Sequence, residues 1–149
     1  MTDDRLAGWL DGKTHRYPLR VYYAETDAGT IVHHAAYLVF AERGRTEMMR
    51  RLGIDHLQLK TEQGLVFAVR SCEIDCLRSA RLDDTLEVRS TLIHLGGASF
   101  HVAQSIWRDD EELVRLAVRL VCMHLSGGAK RLPTGVRGIL QEYLSQEAD

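Results

Sequence analysis

Residues 65 to 125 alternate between apolar and polar positions, the period of β-strands that bury one face of a sheet. Short polar or glycine segments interrupt the alternation at RLDD (81–84), Gly96-Gly97 and DDEE (109–112). Each interruption is long enough only for a tight turn, so the run is predicted to form consecutive antiparallel strands. The predicted strands cover residues 65–78, 85–95, 98–108 and 113–125.

The first half of the chain predicts one strand followed by one long helix. Residues 16–24 (RYPLRVYYA) are rich in β-forming residues, and residues 25–30 then form a loop. From about His33 the spacing changes to that of a helix, which Gly53 ends as a C-cap. The residues predicted to face the core recur every four positions, at Ala36, Phe40, Gly44 and Met48. Shorter helical segments are predicted at residues 55–61 and 134–145.

This order of elements indicates an α+β fold in which a long helix packs on an antiparallel sheet. The 149 residues include only two prolines and no repeated or low-complexity segment, so nothing marks a linker. A chain of this length has the size of one ordinary domain. We therefore expect residues 1–149 to form a single domain.

Charge and hydropathy exclude several classes of protein. With 19 Lys and Arg against 21 Asp and Glu, the formal net charge is −2, and the chain lacks the basic surface that binds nucleic acids. No apolar stretch approaches the ~18 residues of a membrane-spanning helix. Acidic residues come early at the N-terminus, which has no apolar segment typical of a secretory signal. We expect a cytoplasmic protein with neither a nucleic-acid partner nor a transmembrane segment.

The cysteines and the first histidine pair do not predict a metal site. Without a secretory signal, Cys72, Cys76 and Cys122 are expected to be free buried thiols. Cys72 and Cys76 would lie about 13 Å apart on a strand, at ~3.3 Å per residue. His33 and His34 are adjacent, so on a helix they point about 100° apart. Neither pair has the geometry that zinc needs.

The remaining nucleophile and histidine positions also lack a catalytic pattern. A two-residue turn at Gly96-Gly97 would pair His94 with Ser99 and His101 with Leu92, so the two histidines would not face each other. They are interpreted as ordinary strand residues. Ser99 is not part of a Gly-x-Ser-x-Gly elbow, and the glycine patterns that bind phosphates or dinucleotides are absent from the sequence.

The junction between the first strand and the long helix concentrates reactive groups. The first turn of a helix exposes unpaired N–H groups and the positive end of its dipole, which stabilise a developing oxyanion. Asp27 lies seven residues before His34, on the loop that leads into this helix. Its carboxylate and the N–H groups could flank one carbonyl group. The alternative is that Asp27 is a turn residue that bonds its own backbone.

RVYYAETDAGTIVHHAAYLVFAERGRTEMMRRLG (20–53) resembles the signature of the hotdog-fold acyl-CoA thioesterases. It is most similar to the Tol-Pal-associated thioesterases and, more distantly, to 4-hydroxybenzoyl-CoA thioesterase. The likeness extends over roughly residues 16–133. Two positions depart from the pattern, because Thr30 replaces the usual glycine and His33 replaces an aromatic residue.

The resemblance implies an antiparallel sheet wrapped around one long central helix, in a homodimer or homotetramer that shares active sites between subunits. It implies hydrolysis of acyl-CoA to the free acid and coenzyme A without a metal or organic cofactor. Asp27 would be the essential carboxylate, as general base or nucleophile, while Tyr23 and His34 would orient it. The N–H near His34 would polarise the thioester carbonyl. No residue is assigned to the phosphates of coenzyme A, although Arg70, Arg78, Arg81 and Lys130 lie in the resembling region.

Other functions remain open at this point. A related enzyme would be a dehydratase or hydratase acting on acyl-CoA or on an acyl carrier protein. A protein of another class would be a non-catalytic acyl-CoA-binding regulator, but about fifteen residues before the first strand leave no room for a helix-turn-helix domain. A scaffold protein of the cell envelope with a vestigial acyl site is a further alternative. Acyl chain length and carrier are not fixed by the sequence.

Overall fold

The computed structural model describes residues 4–145, in which six strands form one antiparallel sheet accompanied by three α-helices. The strands are β1 (Trp9–Asp11), β2 (Thr14–Arg20), β3 (Leu65–Cys76), β4 (Thr85–Leu95), β5 (Ser99–Arg108) and β6 (Glu111–His124). The helices are α1 (His34–Arg51), α2 (His56–Gln63) and α3 (Thr134–Tyr143), with single 3₁₀ turns at Asp4–Leu6 and Tyr23–Glu25. Among the described helices, none has the length and apolar character needed to cross a membrane.

The strand order in the sheet is β1-β2-β4-β5-β6-β3, with every neighbouring pair antiparallel. One face of the sheet is covered by α1, which contacts β2, β4 and β5. This confirms the predicted α+β fold, in which a long helix lies against an antiparallel sheet. The opposite face is called the outer face below, and alternate residues of each strand point toward it.

A glycine sets the distance between α1 and the sheet. A Cβ atom on Gly44 would lie 2.6 Å from Cγ1 of the buried Val88 on β4, closer than real Cβ atoms approach. Phe40 and Ala41, one turn earlier on the same helix face, are fully buried against the strands. Because dense cores tolerate no overlap, α1 can approach β4 this closely only with glycine at position 44.

The two edge strands differ in length and exposure. β1 has three residues, whereas β3 has twelve, and residues 70–79 are all exposed. The β3 edge carries apolar side chains, including Val69 and Ile74, which are 49% and 39% exposed. A long, open edge of this kind presents unpaired backbone groups that can pair with another strand.

Local sequence signals place several element boundaries correctly. The predicted strand at residues 85–95 has the bounds observed for β4. Gly53 follows the last helical turn with φ = 92°, a conformation that favours glycine and so explains why α1 ends there. Asp55 caps α2 by accepting a hydrogen bond from the Gln58 N–H at 3.0 Å.

The N-terminal strand is shorter than predicted. The strand expected at residues 16–24 ends at Arg20, because residues 23–25 form a 3₁₀ turn. The β-forming tyrosines Tyr22 and Tyr23 are exposed there rather than paired in the sheet. The structure also adds β1, which pairs with β2 and was not predicted from its three residues.

The predicted two-residue turn at Gly96-Gly97 is wrong. Leu95 pairs with Phe100, and a bulge at Ile93 makes His94 pair with His101. The four-residue connection and the one-residue bulge together shift the register that a two-residue turn would impose. His94 therefore does not pair with Ser99, nor His101 with Leu92.

All three cysteines are free, but the prediction that they are buried is correct only for Cys122. Cys72 and Cys76 are exposed because β3 is an edge strand. Within residues 4–145, no group of three or more His, Cys, Asp or Glu side chains could hold a metal ion.

Candidate active site

Asp27 lies in a tight loop that precedes α1. The loop is closed by a bridge between Thr26 and Val32 and by a hydrogen bond from the Asp27 N–H to the Ile31 carbonyl at 3.0 Å. Oδ1 of Asp27 accepts a hydrogen bond from the Gly29 N–H at 2.9 Å. The side chain thus bonds its own backbone, as the turn interpretation predicted. It is also exposed, so the carboxylate is oriented by the loop and accessible to a ligand.

The N-terminus of α1 provides the backbone donors. His33 is the N-cap residue, with φ = −77° and ψ = 154°, and its Nδ1 accepts a hydrogen bond from the Ala36 N–H at 3.2 Å. His34 is the first residue of the helix and is exposed. Within the described chain the His34 N–H donates no hydrogen bond, since its position precedes the first intrahelical donor. Histidine is not among the usual N-cap residues, so no sequence signal pointed to this side-chain hydrogen bond.

Tyr23, Asp27 and His34 all lie on this exposed junction, but no hydrogen bond or ion pair in residues 4–145 joins their side chains. The Thr26–Val32 bridge separates Asp27, on the loop side, from His34, on the helix side. Tyr23 is 77% exposed, and its carbonyl accepts hydrogen bonds from the N–H and hydroxyl groups of Thr26. Within one chain, the three residues therefore lie in the same segment, but their side chains are not joined by hydrogen bonds or ion pairs.

A buried tyrosine fixes this junction to the sheet. The Tyr37 hydroxyl accepts a hydrogen bond from the Ala80 N–H at 2.8 Å, and the Ala80 carbonyl accepts one from the Val32 N–H at 2.9 Å. Burial raises the pKa of Tyr37, so its hydroxyl stays neutral. Thr30 adds a further hydrogen bond, which its carbonyl accepts from the Leu82 N–H. Tyr37 is a positioning residue that the periodicity could identify only as a core position.

A cavity of about 170 Å³ lies at the other end of α1, between α1, α2 and β3. Most of its walls are apolar, and four polar side chains also line it, those of Glu42, Arg45, Thr46 and His56. Burial lowers the pKa of His56, which keeps the imidazole neutral at pH 7. The residues that line the cavity are Glu42, Arg45, Thr46, Met48, Met49, His56, Phe67, Val69, Phe100, Val102 and Leu120.

A buried hydrogen-bond network holds one side of this cavity in place. Gln104, which is 3% exposed, donates from Nε2 to the Ala41 carbonyl at 2.9 Å and to the Ser90 hydroxyl at 2.8 Å. These two acceptors leave Oε1 of Gln104 to accept a hydrogen bond from Arg45 Nη1 at 3.1 Å. The guanidinium of Arg45 is thereby fixed at the cavity wall by a neutral partner. Sequence patterning placed Gln104 in a strand but gave no signal of this network.

Comparison with known proteins agrees with the fold. Residues 29–115 match the profile of the Thioesterase superfamily. The acyl-CoA thioesterase YbgC of Haemophilus influenzae is 40% identical over 109 residues, which cover 73% of this chain and 80% of that protein. The acyl-CoA thioester hydrolase YbgC of Escherichia coli is 39% identical, with 72% and 81% covered. A crystal structure of a probable thioesterase from Bartonella henselae superposes with a TM-score of 0.77 at 36% identity, covering 80% of this chain and 99% of that one.

The profile match spans more than half of the chain and includes all of α1. The relatives extend the likeness over nearly three quarters of the sequence. The expected hotdog resemblance is thus confirmed at the level of family and fold, and the chain belongs to the thioesterase superfamily.

Proposed function

We propose that the protein hydrolyses acyl-CoA thioesters to the free acid and coenzyme A. The observation that carries this proposal is the similarity to the two YbgC thioesterases at 39–40% identity. The junction supports it, because an accessible carboxylate on Asp27 precedes a helix that offers an unpaired N–H at His34. A mostly apolar cavity with a volume of about 170 Å³ would suit a short acyl chain or a single ring.

The proposed chemistry assigns distinct tasks to these groups. The His34 N–H donates to the thioester oxygen and stabilises the negative charge that develops on it. The Asp27 carboxylate either removes a proton from the attacking water or attacks the carbonyl carbon itself to form a mixed anhydride, which water then hydrolyses to the free acid and the restored carboxylate. In both routes the carbon–sulfur bond breaks and the thiolate leaves. A thiol with a pKa near ~8.5 leaves without a strong general acid.

The proposed active site is completed by a second copy of the chain. In one chain, the Asp27 loop lies at the sheet end where the Ile31–Arg81 bridge forms, whereas the cavity lies near Phe67 and Val69 in the first half of β3. If two copies pair along the open β3 edge in antiparallel fashion, the partner's strand runs in the opposite direction. Its Asp27 end then lies beside the cavity of this copy, which explains why one chain leaves the carboxylate and the cavity apart.

The test is a thiol-release assay over a panel of acyl-CoA substrates that differ in chain length and aromatic character. We expect turnover by the wild-type protein and a loss of at least ~10²-fold in kcat for Asp27→Asn, the low end for removal of a general base. Asp83→Asn is the matched control, since Asp83 is also an exposed loop aspartate. Its φ of 71° is one that asparagine adopts readily.

Two results would overturn the proposed activity, and a third would remove Asp27 from it. Release of no thiol from any acyl-CoA would remove the hydrolase function. Disappearance of the acyl substrate without thiol release would indicate a dehydratase or hydratase instead. Equal losses in Asp27→Asn and Asp83→Asn would show that the effect of the first substitution is not specific to the proposed site.

A further inference from the structure

A second, mostly apolar space adjoins the cavity of about 170 Å³ described above. It lies between α2 and the start of β3 and has a volume of about 370 Å³. Its apolar walls include Leu57 and Leu59 of α2 and Leu65 of β3. We call this space the α2 pocket. Its size and apolar walls suit a hydrocarbon chain better than a polar ligand.

Two aromatic rings form the boundary between the cavity and the α2 pocket. His56, the first residue of α2, and Phe67 of β3 each line both spaces. Their rings meet edge to face, with centroids 5.6 Å apart. Phe67 also packs edge to face on Phe100, at a centroid distance of 5.3 Å. A shift of the His56–Phe67 pair would therefore join the two spaces into one channel.

The two rings of the pair are held with different firmness. Phe67 packs on Phe100, which is 1% exposed and belongs to the core. His56 belongs to α2, and none of the eight residues of this helix, all of them described by the structure, is buried. Leu57 is 68% exposed and Leu59 is only partly buried. Because a helix with so little buried surface opens at a low free-energy cost, the His56 side of the boundary is the one that can move.

The charges around the α2 pocket do not oppose an apolar chain. Burial lowers the pKa of His56, so no charged imidazole has to be separated from water when a chain passes it. Among the residues that line the pocket, Lys60 alone carries a permanent charge, and it is exposed. A lysine stem can cover apolar surface while its ammonium group stays in water.

We infer that the cavity and the α2 pocket together hold the hydrocarbon chain of a long acyl group, which crosses the boundary formed by His56 and Phe67. The inference rests on the proposed function, because it assigns long-chain acyl thioesters to that same site. A short acyl group ends within the cavity, whereas a long one continues into the α2 pocket. Each further methylene that leaves water there contributes roughly 4-fold in affinity. The walls of the α2 pocket then determine the preferred chain length.

Photo-crosslinking tests whether a chain reaches the α2 pocket. The probes are oxoalkyl thioethers of coenzyme A, which keep a carbonyl group but cannot be hydrolysed because a methylene separates it from the sulfur. Each carries a diazirine at the end of a short chain, of butyryl length, or a long chain, of lauroyl length. We expect mass spectrometry to find the short-probe label at Met48 or Met49 of the cavity, and the long-probe label at Leu57 or Leu59. A long-probe label confined to the cavity would overturn the inference.

A substitution that fills the α2 pocket should act on long chains. Leu59→Trp adds bulk to its wall, so calorimetry should show the affinity for the long thioether falling ~10-fold relative to that for the short one, as for the loss of about two buried methylenes. Ile139→Trp is the matched control, because Ile139 is also a partly buried apolar helix residue but lines neither space. His56→Ala opens the boundary and should change the ratio in the opposite direction. It keeps the test decisive if Leu59→Trp does not fold.

Kinetics separate this inference from the proposed function. In a thiol-release assay, the ratio of kcat/KM for lauroyl-CoA to that for butyryl-CoA should fall ~10-fold in Leu59→Trp, through a higher KM for lauroyl-CoA. The ratio should stay at the wild-type value in Ile139→Trp. If the wild type hydrolyses neither substrate, the proposed function fails, while the thioether probes still decide whether the α2 pocket holds a chain. If lauroyl-CoA is hydrolysed and both ratios are unchanged in folded Leu59→Trp and His56→Ala, the inference is wrong and the α2 pocket has another occupant, such as a second copy of the chain.

Discussion

Replacing His34 with proline tests the backbone donor directly, because it removes an N–H that side-chain substitutions leave in place. His34 is the first residue of α1, where proline is tolerated since the N–H has no intrahelical partner. Proline also restricts the preceding residue to extended backbone. His33 already has φ = −77° and ψ = 154°, so this restriction costs little. His34→Ala removes only the imidazole and serves as the matched control.

The expected magnitude follows from these contacts. No hydrogen bond of the described structure uses the His34 N–H, so its removal breaks no structural contact. The cap bond from the Ala36 N–H to His33 is two residues away and is retained. If the His34 N–H stabilises the oxyanion, His34→Pro should lose roughly 10²–10³-fold in kcat beyond His34→Ala, or about 2.7–4 kcal/mol.

The assay measures thiol release by both variants with the acyl-CoA that the wild type hydrolyses fastest. Circular dichroism and melting temperature must agree between the two variants, which shows that α1 still begins at the same place. A further fall in kcat confined to the proline variant supports the donor role. Equal kcat values in two folded variants would refute it, and another group would then have to polarise the carbonyl.

Three further predictions concern assembly and stability. The open β3 edge should be covered by a second copy, so light scattering at micromolar concentration should give at least twice the chain mass of 16.9 kDa, and a monomer would contradict the shared active site. Gly44→Ala should destabilise the fold by about 1–3 kcal/mol in denaturant unfolding, because its Cβ would overlap Val88, whereas Gly135→Ala, with open space around it, should not. Burial lowers the pKa of His15, whose Nδ1 has no hydrogen-bond partner among residues 4–145, so the free energy of unfolding should fall as pH drops below about 6.5. That pH dependence should be weaker in His15→Gln, and an unchanged slope would exclude His15 as its source.

The elements predicted best are those with local signals. β4 is bounded by a polar turn and a glycine turn, and its alternation continues between them. The end of α1 depends on one glycine with positive φ, and the start of α2 on one aspartate cap. Each of these signals acts within a few residues, so it can be identified in the sequence without knowledge of the sheet.

The β4–β5 register could not be predicted in this way. Two glycines between alternating runs favour a two-residue turn, but the same sequence also fits a four-residue connection with a bulge at Ile93. The choice depends on burial, because only the second arrangement places His94 on the outer face while Phe100 stays in the core. The pairing of His94 with His101 on the outer face therefore depends on a tertiary choice between two locally acceptable turns.

In the candidate active site, too, local sequence signals identify some features and miss those that depend on tertiary contacts. The sequence identifies Asp27 and His34 through their position before a helix, but the ties that hold the junction come from Tyr37 and Ala80, which are 43 residues apart. The cavity likewise combines α1, α2 and β3 with strands from the middle of the sheet. Neither a pattern of a few residues nor its spacing encodes such long-range contacts.

Thr30 shows how the structure changes the meaning of a sequence feature. The resemblance identified this position as a departure, with threonine where glycine is usual. In the structure Thr30 has φ = 62°, a conformation that costs a non-glycine residue roughly 1–2 kcal/mol. Its N–H donates to the Asp27 carbonyl and its hydroxyl donates to the Gly29 carbonyl, contacts that offset part of this cost. Because both contacts lie inside the loop that orients the Asp27 carboxylate, the departure acts on the backbone of the candidate site rather than on a surface that binds the acyl group.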